Sequence, residues 1–490
     1  MPRNARSLAG PAEDQASIAS RDDRSRWELA VIGTVALIVS LTQTVLIPVL
    51  AELPQELDAS TSQVSWLLTS TMLVSAVSVP VLSRLGDMYG RRRLMLVAVA
   101  ALMTGSAIAA VSSGLFGLLI GRSVQGVGMA AVPLGISLLG EHLPPKRMAS
   151  GAAVVSAMLG LGGAIGLPIA GLIAEYADFR VLFLVPLVVG GAAFVGVLLV
   201  LRESEHKSGG RVDWLGALLL ALTLTSFFLA LTQSAAWGWA DLRVGGLLSM
   251  SGALLGAFAL SQRRIATPMV DLHALRRRPV PLISLASLLF GFALFAMMIS
   301  TAGFVQAPPR LGYGFDTSLV VGGLALVPAG LAMLLVAPLV SKLIMQIGAS
   351  RTLAVGALLV AAGWGSRVFA TGALWQVVLC SAVLGVGAGT GLAAVPSLLH
   401  RHIPAEHLGA AVGLNALFQS IGTCVASALG AAILSSSTVS DGAVLLPSLA
   451  AYQRLFLVSC AAALLAVLTA VLVQGRSSAR EPNRPLQRLT

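Results

Sequence analysis

A short charged stretch between two long apolar runs is the first part of this sequence that suggests chemistry. Residues 83–93 read SRLGDMYGRRR. The runs at 64–82 and 94–113 are almost uncharged and about twenty residues long, the length that crosses a bilayer as a helix. Two glycines four positions apart let helix ends approach closely, and the arginines anchor the turn on the positive side of a membrane. The candidate residues of a conformational gate are Gly86, Asp87, Gly90 and Arg91.

Composition places the chain in a membrane. Its 490 residues are 56% hydrophobic and 11% charged, and the mean hydropathy is +0.88. Soluble domains have about a quarter of their residues charged, so this is a polytopic membrane protein. The net charge is +11, but the basic residues lie in short blocks between apolar runs, which indicates membrane topology and no nucleic-acid partner. The three cysteines lie inside apolar runs without disulfide or metal-ligand spacing, so we expect no metal and no cofactor.

Apolar windows of spanning length predict fourteen helices. They fall at residues 27–50, 64–83, 94–113, 115–139, 150–173, 181–201, 214–234, 243–261, 280–306, 318–340, 352–371, 374–399, 409–435 and 452–474. An even number of crossings puts both termini on one side. Most of the 32 Lys and Arg residues fall in segments on that side, so the positive-inside rule predicts cytoplasmic termini.

The charged stretch is repeated in the second part of the chain. With a shift of 258 positions, Pro80, Ser83, Arg84, Leu85, Gly90 and Arg93 match Pro338, Ser341, Lys342, Leu343, Gly348 and Arg351. The repeat predicts two similar six-helix halves, with two extra helices between them. The predicted organisation is a disordered cytoplasmic tail (1–26), an N-terminal half (27–201), a linker with two transmembrane helices (202–279), a C-terminal half (280–474) and a cytoplasmic tail (475–490).

The stretch at 83–93 resembles the G-x-L-a-D-r-x-G-r-[RK] loop of the major facilitator superfamily, with Ser83 at the usual first glycine. Any cytoplasmic loop carries arginines, but that does not account for the spacing Gly86-Asp87-x-x-Gly90. The resemblance implies an all-α fold of two six-helix halves, with a substrate site between them near mid-membrane. The inserted pair resembles the fourteen-helix drug:proton antiporter branch.

The fourth span contains a charged residue that we expect to be buried. Residues 121–128 resemble the family pattern R-x-x-q-G-x-G. An arginine toward a helix centre costs roughly 2.5–3.5 kcal/mol on insertion scales, so Arg122 should face the protein interior. The resemblance implies a proton relay through Arg122, with Glu141 as a second candidate. The alternatives are a structural arginine bound by carbonyls and Gln125, and an exposed helix-end carboxylate.

The fifth span has a glycine-rich stripe that resembles the antiporter motif of the family. Leu167 separates a glycine and a proline that are usually adjacent. Small residues four apart allow close helix contact and proline bends the helix, so a plain packing stripe is the alternative. The candidates are Gly162, Gly166, Pro168 and Gly171.

The first span departs from the family. Many relatives place an Asp before x-Thr, whereas this chain reads Leu41-Thr42-Gln43-Thr44. No other acid lies mid-span, which weakens the expectation of proton coupling and disfavours strongly cationic substrates. Candidates for a substrate cavity, with helix–helix contact as the alternative, are Gln43, Trp66, Asn415 and Gln419.

The resemblance implies a secondary active exporter of amphipathic small molecules such as drugs and antibiotics. It would be a monomer in a bacterial plasma membrane, with protons and lipid as its other partners. The alternatives are a dedicated exporter of one natural product or metabolite, and a non-transporting sensor. A sensor should carry a sizeable soluble domain. An enzyme should show clustered catalytic residues, and the six His lie in or beside cytoplasmic loops, so we expect no enzyme. The sequence has no P-loop, so ATP is not the direct energy source.

Overall fold

The computed structural model describes residues 11–46, 49, 53–59, 61–204, 213–265, 280–403, 408–441 and 444–478. The first eight spanning segments and one short helix are α1 (Pro11–Thr44), α2 (Leu53–Glu56), α3 (Thr61–Tyr89), α4 (Arg91–Val111), α5 (Leu115–Gly128), α6 (Ala131–His142), α7 (Pro145–Tyr176), α8 (Val181–Val200), α9 (Trp214–Trp237) and α10 (Leu242–Arg264). The remainder are α11 (Val280–Gln306), α12 (Leu319–Leu324), α13 (Val327–Ile347), α14 (Ala349–Arg367), α15 (Leu374–His402), α16 (Leu408–Ser435) and α17 (Leu449–Ser478).

Thirteen segments of the described chain are long and apolar enough to cross a membrane. Helix α14 adds a further segment of spanning length, with 19 residues and an arginine at its end. Each of the fourteen predicted windows therefore coincides with a helix or a broken helix, and the predicted all-α class is confirmed. We call the membrane face at which the apolar part of α1 begins and α17 ends the terminal face.

Two spans predicted as continuous are broken in the structure. The window at 115–139 divides into α5 and α6, and the window at 318–340 into α12 and α13. Each break precedes a proline near the start of the second helix, Pro133 or Pro328. Proline has no N–H to donate to the carbonyl four residues earlier, so the helical hydrogen bonding is interrupted there.

The segments outside the spans differ from expectation in two places. Helix α1 extends back to Pro11, whereas residues 1–26 were predicted to be disordered; its first turns are rich in Ala and acidic residues, which favour a helix start. Strands β1 (Thr438–Asp441) and β2 (Val444–Pro447) form an antiparallel hairpin between α16 and α17 that the sequence did not predict. Residues 1–10, the linkers at 205–212 and 266–279, and residues 479–490 lie outside the described residues.

The two halves meet along two seams. In the first seam, α7 packs against α12 and α13; in the second, α3 packs against α16. The inserted helix α9 covers the second seam, because its Leu220, Leu224 and Phe228 share one apolar cluster with Ala76 of α3 and Leu417 of α16. Helix α10 packs against α9, and most of its residues face outward.

Candidate functional site

The hinge between α3 and α4 is a single glycine. Gly90 has φ 118° and ψ 127°, a conformation that residues with a side chain rarely adopt. A Cβ on Gly90 would also lie 2.6 Å from the carboxylate of Glu203. A Cβ on Gly86 would overlap Leu134 of α6. A side chain at either position would therefore have to displace a neighbour, and Gly90 is also required by its backbone conformation.

A buried ion cluster joins this hinge to α6, and we call its members Asp87, Arg91 and Glu141 the gate cluster. Asp87 and Arg91 are fully buried. The Arg91 Nε donates to Asp87 Oδ1 at 3.0 Å, and Nη2 lies 2.9 Å from the same oxygen. The Arg91 Nη1 donates to Glu141 Oε2 at 3.1 Å. One guanidinium thus holds two carboxylates, from α3 and α6, out of water.

The segment that leaves α8 is fastened to the gate cluster. The Glu203 carboxylate accepts from the backbone N–H of Arg92 at 3.0 Å, which caps the start of α4. The Ser204 hydroxyl donates to Glu141 Oε2 at 2.5 Å. Sequence reasoning missed these two residues, which appeared only as part of a polar linker. The signal that could have found them is an acid and a hydroxyl directly after the sixth span.

Arg122 lies apart from the gate cluster. Its side chain is 1% exposed and donates to the carbonyls of Thr42 and Leu67, at 3.0 and 3.2 Å, and to Gln125 Oε1 at 2.9 Å. These partners agree with the alternative interpretation, in which Arg122 is a structural arginine bound by carbonyls and Gln125. Glu141 is nineteen residues further along the chain, roughly 28 Å at helical rise, so the structure does not bring the two candidate relay residues together. The proton role of Arg122 stays a prediction.

The glycine stripe of α7 faces both halves. A Cβ on Gly162 would overlap the Leu37 carbonyl of α1, and one on Gly166 would overlap the Thr44 hydroxyl. Further along α7, a Cβ on Gly171 would lie 3.1 Å from Val320 of α12. Helix α12 also packs closely against Pro168, since a Cβ on Gly323 would lie 2.9 Å from the Pro168 nitrogen. The stripe therefore lets α7 touch the first helix of its own half and the first seam at once.

The four cavity candidates occupy different surroundings. Gln43 is exposed, and its Nε2 lies 3.2 Å from the sulfur of Met129. Trp66 and Gln419 are half-buried. Asn415 is 8% exposed, and its Oδ1 has no hydrogen-bond partner among the described residues. A cavity shared by these four side chains stays a prediction.

The repeated hinge keeps the backbone but lacks the charges. Gly348 connects α13 to α14 with φ 85° and ψ 156°. Nothing lies within 4 Å of a Cβ placed on it. Met345 occupies the place of Asp87 and is 56% exposed, so the second hinge has an open surface where the first has a buried ion pair.

Another buried carboxylate lies close to the gate cluster and was not singled out from the sequence. Glu28, near the start of the first span, is 5% exposed. Its Oε2 lies 3.2 Å from Nδ1 of His142, the residue that follows Glu141. The acidic residues within the candidate spans of the described chain are Glu28, Asp87 and Glu141, and each lies within three residues of the terminal face.

Comparison with known proteins places this fold and hinge in a family. The profile of the Major Facilitator Superfamily matches residues 32–307 and 288–489, and the chain belongs to that superfamily. A solved structure with the same fold is the human organic anion transporter MFSD10 (TETRAN), with a TM-score of 0.66 at 15% identity, covering 91% of this chain and 99% of that chain. The family resemblance inferred from the sequence is confirmed.

Curated relatives are resistance and export proteins. The chain is 27% identical over 417 residues to the tetracenomycin C resistance and export protein of Streptomyces glaucescens, covering 84% of this chain and 76% of that protein. It is 30% identical over 443 residues to the puromycin resistance protein pur8 of Streptomyces alboniger, covering 88% and 84%. It is 29% identical over 380 residues to a multidrug resistance protein B homolog of Mycobacterium tuberculosis, covering 76% and 69%.

Proposed function

We propose that this protein is a secondary active exporter of amphipathic small molecules, working as a monomer in a bacterial plasma membrane, and not an enzyme. Its terminal face, with both termini, is cytoplasmic. The observation that carries the proposal is the buried gate cluster at the hinge of a major facilitator fold. The names of the relatives, which refer to drug resistance and export, support the direction of transport.

The gate cluster lies where alternating access needs a switch. On the terminal face the two halves touch beside it, because a Cβ on Gly413 would lie 2.5 Å from the Ser83 hydroxyl and one on Gly140 would lie 2.8 Å from Leu408. Ser83 is four residues before Asp87, and Gly140 directly precedes Glu141. Loss of the ion pairs would release α3 and α6 at this contact and let the terminal face open.

Proton entry is the proposed energy source. Since the acids in the described spans are all at the terminal face, the proton site is there rather than mid-span. Asp87 and Glu141 share the single positive charge of Arg91, so protonation of either carboxylate removes its ion pair with the guanidinium and leaves the other pair in place. Arg122 would link this site to the opposite side of the membrane.

A dedicated exporter of one natural product is the second candidate. Two of the relatives are named for a single compound, tetracenomycin C and puromycin. The broad and the narrow exporter differ in how many unrelated compounds they remove from cells. Resistance profiling against chemically unrelated toxic compounds separates them.

Whole-cell efflux tests the proposal directly. Bacteria expressing the chain are loaded with ethidium, Nile red or carboxyfluorescein, and loss of fluorescence is followed with and without an uncoupler. We expect faster loss of at least one dye than in cells expressing Asp87→Asn at equal level, and no difference after uncoupling. Equal efflux of all dyes by the two strains would refute export through this gate.

A further inference from the structure

Each half buries one arginine away from the terminal face. Arg122 is seven residues into α5, about 10 Å from the end of that helix at the opposite face. Arg367 is the last residue of α14, about 27 Å along the helix from its start at the terminal face. Their side chains are 1% and 0% exposed. Within the described spans, these two arginines therefore lie at a different depth from the acids, all of which are at the terminal face.

Among the described residues, no acid pairs with either arginine. Arg122 meets only carbonyl and amide oxygens. Arg367 donates from Nη1 to the Thr301 hydroxyl at 3.3 Å, and its guanidinium lies 5.1 Å from the ring of Phe456 and 5.4 Å from that of Phe304. The Arg367 Nε and Nη2 have no hydrogen-bond partner among the described residues. A buried guanidinium without a counter-ion keeps its full positive charge in a medium that screens poorly.

The two arginines are matched between the halves. Arg122 binds Thr42 on α1, the first helix of the first half, and Arg367 binds Thr301 on α11, the first helix of the second. The repeat shift carries Thr42 to Ser300, the residue beside Thr301. The guanidiniums come from different helices of the two halves. Both nevertheless place a guanidinium against the first helix of its half.

From these charges we infer that the protein selects anionic or neutral amphipathic molecules and excludes lipophilic cations. The inference rests on the proposed export function and names its substrate class. At an effective dielectric constant of about 20, a unit charge about 12 Å away changes the binding constant of a univalent ion by roughly tenfold. Two such charges act in the same direction on a molecule between the halves. An anion is attracted by both, and a cation is repelled by both.

The test compares two ions of equal shape and opposite charge, tetraphenylborate and tetraphenylphosphonium. Binding to the purified full-length protein is followed by tryptophan fluorescence, with protein-free detergent as the partition control. We expect tetraphenylborate to bind at least about tenfold more tightly. Arg367→Gln should lower this ratio by roughly tenfold, while Arg367→Lys should keep it. Arg243→Gln, at an exposed arginine on α10, is the matched control and should keep it too.

Each outcome decides the inference. Equal binding of the two ions, or tighter binding of the phosphonium, would overturn it, and so would a ratio that Arg367→Gln leaves unchanged. If Arg367→Gln does not fold, the same test is made with Arg122→Gln, which should also lower the ratio of tetraphenylborate to tetraphenylphosphonium binding found for the wild-type protein. Export of ethidium but not carboxyfluorescein in the efflux assay would contradict the charge preference and leave export itself standing. Binding of neither ion, with no efflux of any dye, would refute both proposals.

Discussion

Arg91 is the central residue of the gate cluster, because it bridges Asp87 and Glu141. Loss of one carboxylate removes a charge-assisted hydrogen bond, worth about 1.5–3 kcal/mol, while the other carboxylate still neutralises the guanidinium. Two conformers of a transporter differ by a few kcal/mol, and each 1.4 kcal/mol shifts their ratio about tenfold. The loss of one carboxylate is therefore large enough to change which conformer dominates.

The first prediction concerns this carboxylate and its counterpart in the repeat. Asp87→Asn should express at a normal level, lose export and make cysteines on the terminal face more accessible to a thiol reagent, because the closed conformer loses its ion pair. Met345→Ala, at the matching exposed position, should be close to neutral. Normal export by Asp87→Asn, or greater damage from Met345→Ala, would show that the gate does not lie in the first half.

The second prediction compares the two hinge glycines. Both have positive φ with extended ψ, so an alanine at either costs about 1–3 kcal/mol of backbone strain. Gly90→Ala must in addition displace Glu203 from the start of α4, whereas the space around Gly348 is open. Gly90→Ala should therefore lower both thermal stability and export well below Gly348→Ala. Equal losses in the two variants would show that Glu203 does not hold the hinge.

At the scale of elements, hydropathy alone predicts where the spans are, because a bilayer demands about twenty apolar residues per helix. It does not predict the breaks before Pro133 and Pro328, which depend on single hydrogen bonds. The gate residues were predicted from their spacing, and they lie together. Glu203 could not be predicted as their partner, since it is 111 residues from Arg92 and only the packing of α8 beside α4 brings it there.

The third prediction tests the contact of α7 with α1. Gly162→Ala should lower the free energy of unfolding by about 1–3 kcal/mol, because the new methyl group meets the rigid Leu37 carbonyl rather than a flexible side chain. Gly252→Ala on α10, with nothing within 4 Å, is the matched control and should be neutral or slightly stabilising. A Gly162→Ala protein as stable as the control would mean that α1 and α7 are not in close contact.

At the scale of the whole molecule, alternating access requires a cavity between the halves that substrate can occupy. We predict that Gln43, Trp66, Asn415 and Gln419 face it, because they are larger polar or amphipathic side chains within spans of both halves. In a background with Cys380, Cys424 and Cys460 replaced, a cysteine at each position should react with a membrane-impermeant thiol reagent, and substrate should slow the reaction. Labelling that substrate never changes would assign these residues to helix packing.

Transport driven by an imposed gradient tests most directly whether this molecule is a proton-coupled exporter. Inverted membrane vesicles containing the protein, made acidic inside, should accumulate the exported dye against its concentration gradient, and vesicles with Asp87→Asn should not. A sodium gradient should not replace the pH gradient. Accumulation driven by sodium or voltage alone, with no response to pH, would contradict proton coupling through the carboxylates of the terminal face.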